Sequence, residues 1–212
     1  MQSIRLNKLA SLIPQCDTLA DVGCDHGYIG IEALRRGVAK QVVFVDISPA
    51  SLLKARCNCP DEFGETVSFI CKDGLTDTVV DTAVIAGMGG LEIISILQQT
   101  QTLPRYLVLQ PMRNQRDVRK YLTRCYEILT DIKISDGKFY DMIVARLSDT
   151  PTLLTDLEIE FGKTNFFDPG DDFVAFLQLE YNKLTQILSG CSDNDVANRL
   201  KLVMQAMDAI RK

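Results

Sequence analysis

The chain has 212 residues and carries 23 Lys and Arg against 28 Asp and Glu, a formal net charge of −5. That length holds one sizeable α/β domain with an appendage, and a hydrophobic fraction of 46% is ordinary for a globular protein. There is no apolar run of about eighteen residues to span a membrane and no apolar core of a secretory signal near the N-terminus, while the acidic balance argues against nucleic-acid binding by bulk charge.

Ile4 to Ile13 reads as a helix, with apolar residues at 4, 6, 9, 12 and 13. Leu19–Val22 is a first strand and Tyr28–Arg36 the helix after it. Gln41–Asp46 is a buried strand ending in an acid, and Ser48-Pro49 opens a helix to about Cys57, with serine as N-cap and proline at the first helical position. Further strands are expected over Thr66–Cys71, Val79–Ile85 and Tyr106–Gln110, and helices over Leu91–Gln99 and Gln115–Arg124. Tyr126–Ser135 and Lys138–Leu147 read as two strands joined by the hairpin signal Asp136-Gly137. Alternating strands and helices closed by a hairpin predict an α/β fold with a mostly parallel sheet and one antiparallel edge region.

Pro151 marks the expected boundary between a domain over 1–150 and an extension over 151–212. Beyond it Phe173, Phe176, Leu177, Leu184, Ile187 and Leu188 repeat at helical spacing. Val196, Leu200, Val203, Met207 and Ile210 follow the 4-3 steps of a coiled-coil seam, so a helical hairpin is expected, either as a packing appendage or as a substrate-binding element.

Seven cysteines (16, 24, 57, 59, 71, 125 and 191) lack framework spacing and read as reduced thiols of a cytoplasmic protein. His26 is the sole histidine, so no metal site is expected.

The residues that carry chemistry gather where strands end. Asp21-Val22-Gly23-Cys24-Asp25-His26-Gly27 follows the first strand, as in sheets that bind a nucleotide at a helix N-terminus. The dinucleotide fingerprint Gly-x-Gly-x-x-Gly is missing, and Asp25 stands where a pyrophosphate needs bare backbone. A carboxylate there repels phosphate and tolerates a sulfonium, which favours S-adenosylmethionine over NAD. Asp21, Gly23, Asp25 and His26 are the expected cofactor contacts of this turn, His26 being an orienting or capping group as readily as a base.

Asp46, with Ile47 beside it, ends the second strand, where an acid accepts the ribose hydroxyls of an adenosine. Asp73-Gly74 follows the third strand and suits the adenine amino group, although Asp-Gly is also a common turn. Ala86-Gly87-Met88-Gly89-Gly90 exposes backbone at the end of the fourth strand, beside the expected methyl group, with Gly87, Met88 and Gly89 as candidate catalytic positions. Gln110-Pro111 ends the fifth strand on the same edge. The glutamine amide is a candidate reader of a base, and the proline a strand stop or a rigid support. Arg113, Arg116, Arg119, Lys120 and Arg124 form the densest basic cluster, a candidate track for a phosphate backbone or an ordinary solvated face.

These blocks, together with Leu109-Gln110-Pro111 and Asp136-Gly137-Lys138-Phe139-Tyr140-Asp141, resemble the bacterial tRNA (adenine-22-N1)-methyltransferases of the TrmK type, from about residue 5 to 147. Cys24, Gly27, Asp46 and Met112 depart from the family's usual Ser, Ala, Glu and Asn, with Asn114 near enough to replace that last amide. The resemblance implies a class I Rossmann-like domain with a seven-stranded sheet and a coiled-coil-like C-terminal part. It implies S-adenosylmethionine as cofactor and methyl transfer to N1 of adenine 22 in the tRNA D-arm; from its place on the catalytic edge Asp25 is the candidate to steer the substrate amino group or accept a proton, and Lys138 is expected with the basic cluster on the RNA. The oligomeric state is open, with a monomer expected. The competing readings are a small-molecule methyltransferase and a non-catalytic cofactor- or RNA-binding module.

Overall fold

A computed structural model describes residues 3–150, 152–190 and 192–211. Its centre is a seven-stranded sheet in the order β3-β2-β1-β4-β5-β7-β6. The strands are β1 (Cys16–Val22), β2 (Ala39–Asp46), β3 (Val67–Cys71), β4 (Thr82–Met88), β5 (Tyr106–Pro111), β6 (Tyr126–Ser135) and β7 (Phe139–Leu147). The first five pair in parallel, and β7 runs antiparallel to both β5 and β6. The helices are α1 (Ile4–Ser11), α2 (Tyr28–Arg35), α3 (Pro49–Asn58), α4 (Gly90–Gln99), α5 (Gln115–Leu122), α6 (Asp156–Phe161), α7 (Asp171–Gly190) and α8 (Asn194–Ala209).

Period-two alternation explains why the parallel strands are apolar on both faces. Leu19, Val84 and Val108 enter one core layer with Phe44 and α2, while Ala20, Ile85, Leu107 and Leu109 enter the other with α4 and α5. Capping sets several helix starts: Ser3 Oγ accepts from Leu6 N, and Ser48 Oγ accepts from Ser51 N with Pro49 behind it. The fourth strand begins and ends three residues later than expected, because Val79 is exposed and the glycine-containing segment stays paired to β5 through a bulge between Ala86 and Met88.

The helical hairpin is present, and α7 packs against α8 around Phe173, Leu177, Leu184, Val203 and Ala206. The short helix α6 ahead of it was not foreseen. Thr155 starts it through a reciprocal capping box with Glu158. The proposed boundary residue Pro151 lies outside the described residues. What the extension does for the fold is specific. Strand β6 is an edge whose outward N–H groups need acceptors. Asp131 N donates to Thr164 Oγ1 at 2.8 Å, Lys133 N to Asn165 Oδ1 at 3.2 Å, and Ser135 N to Asp172 Oδ2 at 2.9 Å. Side chains of the segment after α6 and of the first turn of α7 thus stand in for an eighth strand.

Beneath this seam lies a buried ionic network. Arg119 on α5 forms a bidentate pair with Asp131 at 2.8 and 2.9 Å and reaches Asp141 at 2.6 Å, while Lys133 Nζ donates to Asp141 at 2.7 Å. Arg119 Nη1 also donates to the Ile159 and Glu160 carbonyls of α6. Burial works against both charges, but the carboxylates hold the Arg119 guanidinium above its usual range, and Lys133 and Arg119 hold Asp141 below its own. Arg119 is 0% exposed, so its expected place on an RNA-facing stripe is overturned: it is a structural cation joining α5, the hairpin and the extension.

Candidate active site

The three strand ends at the centre of the sheet converge as the sequence predicts. Asp21 closes β1 with its carboxylate buried, and its Oδ2 accepts from Gly30 N of α2 at 2.9 Å. Burial pushes this carboxyl up to about 7, against the pull of the Gly30 N–H. Gly23 adopts φ +67°, and a Cβ there would lie 1.9 Å from Met88 Cε. The left-handed turn is what favours glycine here, since the Met88 methyl is the far end of a flexible side chain that can move aside. Cys24 is buried, and burial pushes its thiol up to about 12, so it packs rather than reacts.

Asp46 ends β2 with both oxygens engaged by backbone. Oδ2 accepts from Asp25 N at 3.2 Å and Oδ1 from Ser48 N at 2.8 Å. The first and second turns are thereby locked together, and the carboxylate is held rigidly with lone pairs to spare. Asp25 sits at φ +43°, and its side chain pairs with Lys54 Nζ of α3 at 2.8 Å, with His26 Nε2 at 3.7 Å. His26 stacks on Tyr28 and shares Asn58 with the turn, an orienting role rather than that of a free base. Ile47 and Asp73 are exposed on the same edge, and Gly74 is buried against Ile96.

A cavity of about 340 Å³ opens among Asp21, Gly23, Asp25, Tyr28, Ala86 and Gly87, with Arg5 and Leu6 of α1 on its wall. Asp46, Ile47, Asp73 and Gly74 do not line it. Sequence reasoning did not place Arg5 and Tyr28 at this cavity; Arg5 shares a short amphipathic helix with Asn7, Lys8 and Ser11, so nothing local marks it out. The β4 and β5 ends are tied by Met112 N donating to Met88 O at 2.8 Å and Gly90 N to Arg113 O at 2.9 Å. A Cβ on Gly90 would meet the Arg113 and Asn114 carbonyl oxygens at 2.6 and 2.7 Å, which explains the last glycine of the Gly-Met-Gly-Gly block.

Gln110 is fully buried, with Oε1 accepting from Arg5 Nη1 at 2.5 Å and Nε2 directed at Met112 Sδ at 3.2 Å. Pro111 is buried beside it, its carbonyl accepting from Gln115 Nε2 at 3.4 Å. Asn114 is exposed, and its Nδ2 donates to Asp117 at 3.3 Å. Arg113, Arg116, Lys120, Arg124 and Lys138 are exposed. Arg116 pairs with Glu160 of α6 at 3.2 Å, so the remaining basic face is thinner than expected.

Residues 2–143 match the methyltransferase domain family. A provisionally named tRNA methyltransferase of Mycoplasma pneumoniae is 33% identical over 149 residues, 66% of this chain and 69% of the relative. Among solved structures, M. capricolum TrmK in complex with S-adenosyl-homocysteine superposes with a TM-score of 0.87 at 27% identity, covering 100% of each chain. The chain belongs to the TrmK methyltransferase family. A further TrmK relative, the tRNA (adenine(22)-N(1))-methyltransferase of Bacillus subtilis, is 28% identical over 169 residues, 76% of this chain and 71% of the relative. The TrmK cofactor, S-adenosylmethionine, fits the site found here: a backbone-lined cavity at the β1 and β4 ends, a rigidly held acid at the β2 end, and no bare glycine cradle for a pyrophosphate. Among the described residues there is no cluster of metal-ligating side chains and no helix long and apolar enough to cross a membrane.

Proposed function

We propose that this protein methylates N1 of adenine 22 in the D-arm of tRNA, using S-adenosylmethionine. Family membership supports the chemistry, and one structural observation carries it: the β1 and β4 ends open on one cavity where Asp25 stands in place of the bare backbone a dinucleotide enzyme needs, and Asp46 of the β2 end is tied to the Asp25 N–H beside it. Bound there, S-adenosylmethionine supplies an electrophilic methyl group. Asp46 accepts the ribose hydroxyls with Ile47 beside it, Asp73 and Gly74 meet the adenine, and Asp21, Gly23 and His26 shape the amino-acid end.

Adenine N1 already carries an in-plane lone pair, so the protein need not generate a nucleophile. Its task is alignment, which in the best intramolecular systems is worth on the order of 7 kcal/mol or more. The Ala86–Gly89 backbone and the Gln110-Pro111 strand end give a rigid, close approach for a planar base. Asp25 orients the adenine amino group and offsets the charge that develops on the ring. Adenine N1 is engaged in the folded RNA, so the base is turned out before reaction. Arg113, Arg116, Lys120, Arg124 and Lys138, with the extension over 151–212, hold the tRNA meanwhile, on a monomeric protein in the cytoplasm.

Incubation with unmodified tRNA and labelled S-adenosylmethionine, then nuclease digestion and nucleoside mass spectrometry, tests this. The expected product is 1-methyladenosine mapping to position 22. Label at another base or none in RNA overturns the substrate assignment, and label appearing only in a small molecule favours that competing reading.

A further inference from the structure

A second cavity, of about 420 Å³, lies where the extension meets the sheet. Gln115 at the start of α5 and Phe139 at the start of β7 bring it to the sheet edge that carries the β5 end. Glu160 of α6, Phe176 and Glu180 of α7 and Arg199 of α8 close it from the extension. Its floor is the Lys133–Asp141 pair, already joined at 2.7 Å, and Phe139 and Phe176, in edge contact with centroids 5.5 Å apart, form an apolar flank. The charges above that floor are unequally engaged. Glu160 is bound by Arg116 Nε at 3.2 Å and by Arg199 Nη1, so it ties α5 to α8. Arg199 is held further by the Phe161 ring, whose centroid is 4.9 Å from its guanidinium carbon. Glu180 faces Arg199 Nε at 3.9 Å, beyond hydrogen-bond reach, and among the described residues it has no other polar partner. An open carboxylate and a fixed guanidinium, both half-buried, therefore stand side by side with acceptor and donor capacity unspent.

Three cations and four carboxylates line the cavity, a balance that disfavours a phosphate. A neutral, flat ligand with a carbonyl oxygen beside N–H donors fits it. Guanine is the nucleobase that presents O6 next to two donors, N1–H and the N2 amino group, and unstacked RNA bases are read on that edge with their faces against aromatic rings or guanidinium planes. We propose that this cavity binds an unpaired guanine of the RNA substrate, with Glu180 accepting from N1–H and N2–H and Arg199 donating to O6. The base lies against Phe139 and Phe176, and Glu160 is the positioning residue for Arg199. The inference rests on the RNA reading above and gives the extension a base-reading role separate from the basic face of α5. It also accounts for an acidic residue, Glu180, at the joint of an RNA-binding surface: its partner is a base edge, not the backbone.

The test compares guanosine, inosine and adenosine monophosphates on the full chain by calorimetry, with S-adenosyl-homocysteine in excess so that no nucleotide enters the adenosine site. Inosine monophosphate lacks only the 2-amino group. The wild type is expected to bind the guanine nucleotide at least about fivefold more tightly than either of the others. Glu180→Ala is expected to bind all three within about twofold of one another and to weaken unmodified tRNA by at least about threefold. If Glu180→Ala does not fold, as read from its thermal transition, Glu180→Gln carries the same expectation. No guanine preference in the wild type, or a preference retained in the folded Glu180 variant, overturns the inference. Normal 1-methyladenosine formation in tRNA alongside that result refutes the guanine site and leaves the methylation reading standing. A guanine preference that depends on Glu180, in a protein that methylates no tRNA, supports the site and refutes the methylation reading instead.

Discussion

Two clusters of charge, one at the β1–β4 edge and one under the β6–β7 hairpin, are built from the same residue types and do opposite things. Under the hairpin, Arg119, Lys133, Asp131 and Asp141 are paired with one another, and Arg119 and Asp131 are fully buried. At the cofactor edge, Asp46 is bound only by backbone N–H groups and Arg5 only by an amide and a ring, so both keep unspent hydrogen-bonding capacity. Binding capacity at an edge thus depends on which partners a charged side chain lacks, more than on how many charges are present.

The largest way to break this contrast is to leave the hairpin network unbalanced. Arg119→Met strands the buried Asp131, leaves Asp141 with Lys133 alone, and is expected to lower stability by about 3–5 kcal/mol, read by urea denaturation. Loss of tRNA affinity without loss of stability would restore Arg119 to the RNA face.

The next effect is in pH. The Asp21 carboxyl sits at about 7 in the folded protein against an ordinary value of 3.8, so the folded state holds the proton longer than the unfolded chain. Its contribution is intact below about pH 4 and is lost as pH rises through 7. Asp21→Asn removes that dependence, so the variant should gain roughly 2–3 kcal/mol relative to wild type between pH 5 and pH 8, in paired denaturation series. A flat difference across that range would mean that the carboxyl is not strained by burial.

Asp25→Ala sharpens the role of the cofactor edge. Turnover is expected to fall at least tenfold, with S-adenosylmethionine affinity changed less than about threefold, as measured by methyl transfer and calorimetry. Parallel losses in both would confine Asp25 to holding the turn through Lys54. The smallest effect is on the open face. Reversing Arg116 and Lys120 to Glu should weaken tRNA binding and reduce the slope of log affinity against log salt by about two. An unchanged slope would leave the face as ordinary solvated surface.

Much of the cofactor edge was legible because its chemistry is local. A strand, an acid and a glycine in succession announce a turn whatever surrounds them, and Asp21, Gly23, Asp46 and Gly87 all lie where the order of strand ends places them. The basic helix was legible only as a set of charges. Positions 116, 119 and 120 look alike in sequence, yet Val118 and Leu122 turn the 119 side inward, beneath the extension. The partners of Arg119 lie 12 and 22 residues away, which no local pattern records. Arg5 was missed for the same reason, since its contact with Gln110 spans 105 residues.

By itself the sequence determined the alternation of elements, the seven strands, the acid at each of the first strand ends and the seam of the helical hairpin, because hydrophobic period and turn chemistry act over a few residues. Only the tertiary structure decided which charges are spent and which are free. Whether a side chain is paired depends on neighbours brought together by the sheet order and by the docking of α1 and the extension, and burial then turns each pairing into either a stable joint or a binding site.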